Sequence, residues 1–127
     1  MKILDDLYYA ESHEWVKSEK NYAFIGISDY AQNELGEVVY VELPEENTEI
    51  TAGDVVGSIE AAKAVVDFIT PVGGKIVQVN QELIDNPNLI NESPYENGWI
   101  VKIEVTDTSQ YEALMTAEDY RKFVEGQ

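Results

Sequence analysis

At 127 residues the chain is long enough for one domain with a core that needs no staples, and it contains no cysteine. That excludes an intrinsic disulfide, a protein thiol nucleophile and thiolate metal sites. A formal net charge of −17, from 25 acidic against 8 basic residues, argues against nucleic acid and anionic membrane surfaces, whose phosphates demand Lys and Arg.

An acidic surface of this strength serves solubility or steers the molecule toward basic patches on partner enzymes, and the two are compatible. No run of about 18 apolar residues offers a membrane span. The opening MKILDDLYYAESHEW has early acids and no apolar h-region, unlike a signal peptide or an Arg-rich transit peptide. The expected location is the cytoplasm of a prokaryote, or the mitochondrial matrix for a processed organellar form.

In chain order, Tyr8-Tyr9 lead into Ser12-His13-Glu14-Trp15-Val16, which holds the only histidine. One histidine without cysteine makes neither a metal cluster nor a triad, so His13 reads as a hydrogen-bonded structural or surface residue. Residues 22–27 (YAFIGI) read as a buried strand. Ser28-Asp29 then cap a short helix over 29–35, closed by Gly36. Val38 to Val41 form another strand, stopped by Pro44, and Glu45, Glu46 and Glu49 make an acidic, solvated loop.

The stretch from Gly53 to Asn80 is GDVVGSIEAAKAVVDFITPVGGKIVQVN, and Lys63 is the only cation between Lys20 and Lys75. Two readings fit it. Ile59, Ala62, Val66 and Ile69 recur near helical spacing, and Ala and Lys favour helix. The β-branched runs on both sides, Gly53-Asp54, Pro71 and Gly73-Gly74 instead favour two strands, with Lys63 on the turn between them. Local propensity leaves the choice open.

Residues 81–97 read as an Asn- and Pro-rich loop with a helical turn or two near Leu83 and Leu89. Asn91-Glu92-Ser93 has the form of a glycosylation acceptor but reads as chance. Residues 98–105 read as a central strand with Trp99 in the core, and 109–125 as a C-terminal helical segment. Many short strands with Gly/Pro turns and little helix before the end predict a small antiparallel sandwich or barrel.

The pattern G-x-I-E-x-x-K-A-V-x-D-x-x-x-P-V-x-G-x-I-V-x-V-N resembles the lipoyl-lysine hairpin of the glycine cleavage H-protein family. The blocks SHEWV, GISDYAQNELGEVVYVELPE and NPNLINESPYENGWIVKI extend the likeness across nearly the whole chain. It departs from the usual pattern at Ala61-Ala62, Val66 and Gly73-Gly74-Lys75, none of them Lys63 itself.

The resemblance implies one lipoyl-carrier domain over 1–127, mainly β. Its fold would be a hybrid barrel-sandwich of two small antiparallel sheets with short helices and a C-terminal helix. It implies lipoic acid in amide linkage to Lys63, on a hairpin at about 53–80 recognised through Glu60, Ala62, Ala64 and Gly74. Ser12, Glu14, Ile27 and Asp67 would line a groove for the arm, where a carboxylate suits an aminomethyl cation.

The implied partners are the pyridoxal-phosphate glycine decarboxylase (P protein), the aminomethyltransferase (T protein), the dihydrolipoamide dehydrogenase (L protein) and a lipoyl-attaching enzyme. The chain itself would be a non-catalytic carrier. A biotin carrier would place methionines beside the lysine, where Ala62 and Ala64 stand here. A relay that donates lipoyl or octanoyl groups to other lipoyl domains is the alternative role, and a purely acidic interaction domain would leave Lys63 unmodified.

Overall fold

A computed structural model describes residues 1–126. Strands β1 (Tyr8–Tyr9), β2 (Glu14–Glu19) and β3 (Tyr22–Ile27) precede helix α1 (Asp29–Leu35). Then come β4 (Val38–Glu42), β5 (Glu49–Ile50), β6 (Val55–Ala61), β7 (Val65–Ile69) and β8 (Gly74–Val79). Two single-turn helices, α2 (Glu82–Asp85) and α3 (Leu89–Glu92), lead to β9 (Val101–Glu104). A 3-10 turn over Thr108–Ala113 and helix α4 (Ala117–Glu125) complete the described chain.

The strands form a six-stranded sheet, in the order β1-β2-β3-β9-β8-β5, and a three-stranded sheet, β4-β6-β7. Each pairing is antiparallel. The expected two-sheet architecture with a C-terminal helix is therefore present. Ile25, Ile76, Val101 and Ile103 from the large sheet meet Ile59 and Phe68 from the small one in the main core, each at most 1% exposed. Each such side chain contributes about 1.5–3 kcal/mol on burial. A second cluster packs α4 on β1 and β2. There Tyr9 and Tyr120 stack at a centroid distance of 4.4 Å, beside Trp15 and Val124.

Residues 53–80 form strands and not a helix. β6 and β7 pair through Ile59↔Val66 and Glu60↔Val65, which puts Ile59 and Phe68 into the core. Tertiary burial of alternate apolar residues, Ile59, Ala61 and Phe68, outweighs the helix propensity of the alanines. Helix α1 has the expected bounds: the Ser28 side chain accepts from the Ala31 N–H, and Gly36 follows at φ +78°.

Two expectations are corrected. The strand thought to begin at Gly98 begins at Val101, and Trp99 is only half-buried, its ring edge-on to Phe24. The carbonyls of Asn97 and Trp99 both accept from the Asn80 side-chain amide at 2.8 Å, so these two residues serve a side chain. Backbone pairing resumes only at Ile100, which donates to the Ile25 carbonyl and accepts from the Asn80 N–H. The C-terminal segment is also divided, because Met115 exchanges backbone hydrogen bonds with Tyr9 at 2.8 and 2.9 Å. Thr116 then caps α4 by accepting from the Asp119 N–H.

Gly74 opens β8 at φ +152°, where an added Cβ would stand 2.1 Å from the Glu104 carbonyl oxygen on β9. Gly74→Ala is thus expected to destabilise by roughly 3 kcal/mol, lowering the Tm by roughly 12 °C at this chain size. A calorimetric shift below about 3 °C would mean that the β8–β9 pair yields freely.

Candidate functional site: the lysine turn and the adjacent cleft

Lys63 sits on the turn between β6 and β7, flanked by Ala62 and Ala64, and all three are exposed. The turn is braced. The Ala61 N–H donates to the Ala64 carbonyl at 2.9 Å, while Ala62 and Lys63 donate theirs to the Glu37 and Leu35 carbonyls at 2.9 and 3.0 Å. The connection from α1 to β4 therefore extends the β4–β6 pairing past the end of the sheet and holds the turn from the side. At Gly36 in this connection, φ is +78° and an added Cβ would meet Lys63 Cγ and Ala62 Cβ at 3.6 Å. A glycine there accommodates both the left-handed backbone and the lysine stem crossing it.

Asn91 fixes this connection from behind. Its side-chain amide donates to the Gly36 carbonyl at 2.8 Å and to Gln32 Oε1 at 2.9 Å, and its Oδ1 accepts from the Val38 N–H at 2.8 Å. The residue that resembled a glycosylation acceptor is thus a bracket around the lysine turn. Only the convergence of α1, α3 and β4 reveals this, and no local sequence signal carries it. Asn91→Ala leaves the Val38 donor and the Gly36 acceptor without their partner, at about 2 kcal/mol. Amide exchange at Ala62 and Lys63 is expected to accelerate more than at Ile25 or Val101. Uniform acceleration would show that Asn91 supports the fold in general and not the turn.

Beside the hairpin lies a cleft of about 320 Å³ whose lining includes Ser12, Glu14, Ile27 and Asp67. The four residues proposed for arm docking are therefore brought together from the β1–β2 connection, β2, β3 and β7. His13, Tyr30, Ala31, Glu34, Leu35 and Val66 complete the lining, so the walls are partly apolar and partly acidic. His13, at φ +74°, hydrogen-bonds through Nδ1 to the Tyr120 hydroxyl at 2.7 Å. The same hydroxyl is 2.7 Å from Ser28 Oγ, so α4 ties the cleft wall to the cap of α1.

Glu14 is the unusual member, being only 2% exposed. Burial pushes its carboxyl up to about 7, against smaller opposing effects from hydrogen bonds given by the Ser12 hydroxyl and by the Glu14 and Ile69 backbones. Among the described residues Glu14 forms no ion pair, and its hydrogen bonds come from the Ser12 hydroxyl and from backbone amides. A buried carboxyl in that condition strongly favours an incoming positive group that can also donate hydrogen bonds.

Glu60 lies on the outer face of β6, opposite Tyr40 on β4 and Val65 on β7. Gly74 belongs to the other sheet, packed against Glu104, and is not beside Lys63. No described helix is long and apolar enough to cross a membrane, and no group of His, Cys, Asp and Glu able to hold a metal ion occurs among the described residues.

Two antiparallel sheets, with one lysine held out on the turn of the smaller, give the architecture that the resemblance implied for a lipoyl-type carrier domain. The family model described as "Glycine cleavage H-protein" matches residues 7–127. The glycine cleavage system H protein of Thermoanaerobacter sp. strain X514 is 50% identical over 125 residues, covering 98% of each chain. That of Staphylococcus epidermidis is 51% identical over 124 residues, again covering 98% of each. The crystal structure of a glycine cleavage system H protein from Mycobacterium marinum matches with a TM-score of 0.89 at 33% identity, over 98% of this chain and 100% of that one. The chain belongs to the glycine cleavage H-protein family, whose members are non-catalytic lipoyl-carrying subunits that work with partner enzymes.

Proposed function

We propose that Lys63 carries lipoic acid in amide linkage, and that the chain moves an aminomethyl group between the P, T and L enzymes of glycine cleavage. The observation that carries the reading is the pairing of an exposed, braced lysine with a neighbouring cleft that holds a buried carboxyl, in no ion pair among the described residues. When attached, the lipoyl group supplies the dithiolane on which the aminomethyl group and reducing equivalents travel. The protein, which has no thiol of its own, supplies attachment, presentation and shelter.

The residues suit such a group. Ala62 and Ala64 add little bulk around the amine, and the backbone brace keeps the turn rigid while the side chain stays free. Ile27, Leu35 and Val66 offer apolar walls to an aliphatic arm. Glu14, with Ser12 and Asp67 beside it, offers carboxylates to a cationic end. Folding the arm into this cleft removes its end from water between visits to the partners, and the acidic surface speeds encounters with basic docking faces.

The test is reconstitution. Carbon dioxide release from glycine by the purified P protein is expected to rise with added lipoylated chain and to stay at background with the unlipoylated chain. Equal stimulation by both forms would refute the carrier reading.

A further inference from the structure

The turn that holds Lys63 leaves few directions of approach. Its edge toward β4 is occupied by the Leu35–Glu37 backbone, which accepts the Ala62 and Lys63 amides. The inner face of the hairpin is packed, with Ile59, Ala61 and Phe68 buried. On the outer face of the three-stranded sheet the row nearest the turn is Tyr40–Glu60–Val65, set in register across β4, β6 and β7 and exposed at all three positions.

This row is apolar out of proportion to its surroundings. Tyr40 is 55% exposed, Val65 66% and the neighbouring Val39 51%, so three of the six exposed large hydrophobic side chains among the described residues lie beside the lysine turn. Around them stand Glu37, Glu42, Glu60 and Asp67, all exposed and none in an ion pair among the described residues. An apolar strip beside the modification site, edged by unneutralised carboxylates, has the character of an interface centre with a charged rim.

Reach decides which partner it fits. An enzyme acting on the end of a lipoyl arm works at a distance from the turn and can rest on other parts of the surface. An enzyme that acylates the bare lysine must bring its reacting atoms to Lys63 Nζ, within the length of one lysine side chain, so it has to lie against whatever flanks the turn.

Resting on the reading of Lys63 as the lipoylated residue, we propose that the Tyr40–Glu60–Val65 row, with Val39, is the docking strip for the lipoyl-attaching enzyme. The matching face on that enzyme is an apolar hollow edged by Lys and Arg. Tyr40 and Val65 fill the hollow, and Glu60 fixes the register by pairing with a basic residue of the rim. Attachment is therefore selected by the sheet face beside the turn as well as by the turn itself.

The experiment measures lipoate–protein ligase kinetics with lipoate and ATP, followed by intact mass, on the full chain and four variants. In the double variant Tyr40→Ser/Val65→Ser, the ligase KM for the protein is expected to rise about tenfold with kcat nearly unchanged. Glu60→Lys is expected to raise KM and to flatten its dependence on salt. The double variant Val55→Ser/Ile84→Ser, which removes equally exposed apolar groups elsewhere, is expected to match the parent. All four positions are solvent-exposed, so the Tm of each serine double variant should stay within a few degrees of the parent. The single variant Val65→Ser supplies the same test if Tyr40→Ser disturbs β4. Parent KM in a folded Tyr40/Val65 variant, or an equal rise in the Val55/Ile84 control, would overturn the docking strip while leaving Lys63 as the lipoylated residue. A parent chain that the ligase does not modify at all removes both proposals together.

Discussion

Replacing Lys63 by arginine is expected to abolish carriage outright while leaving the fold within about 0.5 kcal/mol of the parent. The side chain is exposed and makes no described ion pair, so the core loses nothing with it. Its N–H donates to Leu35 from the backbone and survives the change. Arginine keeps the positive charge but offers a delocalised guanidinium that stays protonated and does not form the amide. Stimulation of glycine decarboxylation should therefore fall to background at an unchanged Tm. Residual stimulation above a few per cent of the parent would place the attachment elsewhere.

The second large effect concerns Glu14. Glu14→Gln preserves size and the contact with Ser12 but removes the one carboxyl buried in the cleft among the described residues. A charged hydrogen bond of this kind contributes about 1.5–3 kcal/mol, so loss of the aminomethyl group from the loaded arm should accelerate roughly tenfold to a hundredfold. Lipoylation itself should proceed at the parent rate. Quantifying ammonia or formaldehyde release from the loaded protein checks this, and release at the parent rate would count against the cleft as a shelter.

The pH dependence follows from the same group. Burial raises the folded-state value of Glu14 from 4.5 to about 7. The folded state then binds more protons than the unfolded one between those values. The contribution of Glu14 to stability is fully present below pH 4.5 and is lost as pH rises through about 7. Glu14→Gln should flatten that decline. For the loaded arm the sign reverses, because only the ionised carboxylate holds a cation. The advantage of the parent over Glu14→Gln in retaining the aminomethyl group should be full above about pH 8 and shrink toward pH 6. A parent-to-variant ratio independent of pH would mean that Glu14 acts without its charge.

The lysine hairpin shows how far a linear reading goes. Strand signals on both sides of Lys63 were present in the sequence, yet helical spacing competed with them. What separates the two is burial of Ile59 and Phe68 against the other sheet, a tertiary effect that no window of residues contains. Ser28, Asp29 and Gly36 fix α1 by local capping chemistry, which is why its bounds could be read directly. Asn91 and Tyr120 were opaque for the opposite reason. Each acts through side-chain hydrogen bonds to residues distant in the chain: Asn91 to Gly36 and Val38, Tyr120 to His13 and Ser28.

The cleft was legible only through family resemblance. Ser12, Glu14, Ile27 and Asp67 share no spacing that would unite them, since they come from different strands and a turn. The high value at Glu14 is likewise a property of its surroundings. A glutamate between histidine and tryptophan reads as an ordinary acid until Ser12, the Ile27 strand partner and the Ile69 backbone are set against it.

The central claim is that Lys63 bears the lipoyl group, and its most direct test is intact mass with fragment mapping of the protein purified from cells supplied with lipoate. One lipoyl increment, located on the fragment containing Lys63 and absent from Lys63→Arg, is the predicted result. An unmodified Lys63 from cells that lipoylate their other carriers, or an increment on Lys75 or another lysine, would contradict it.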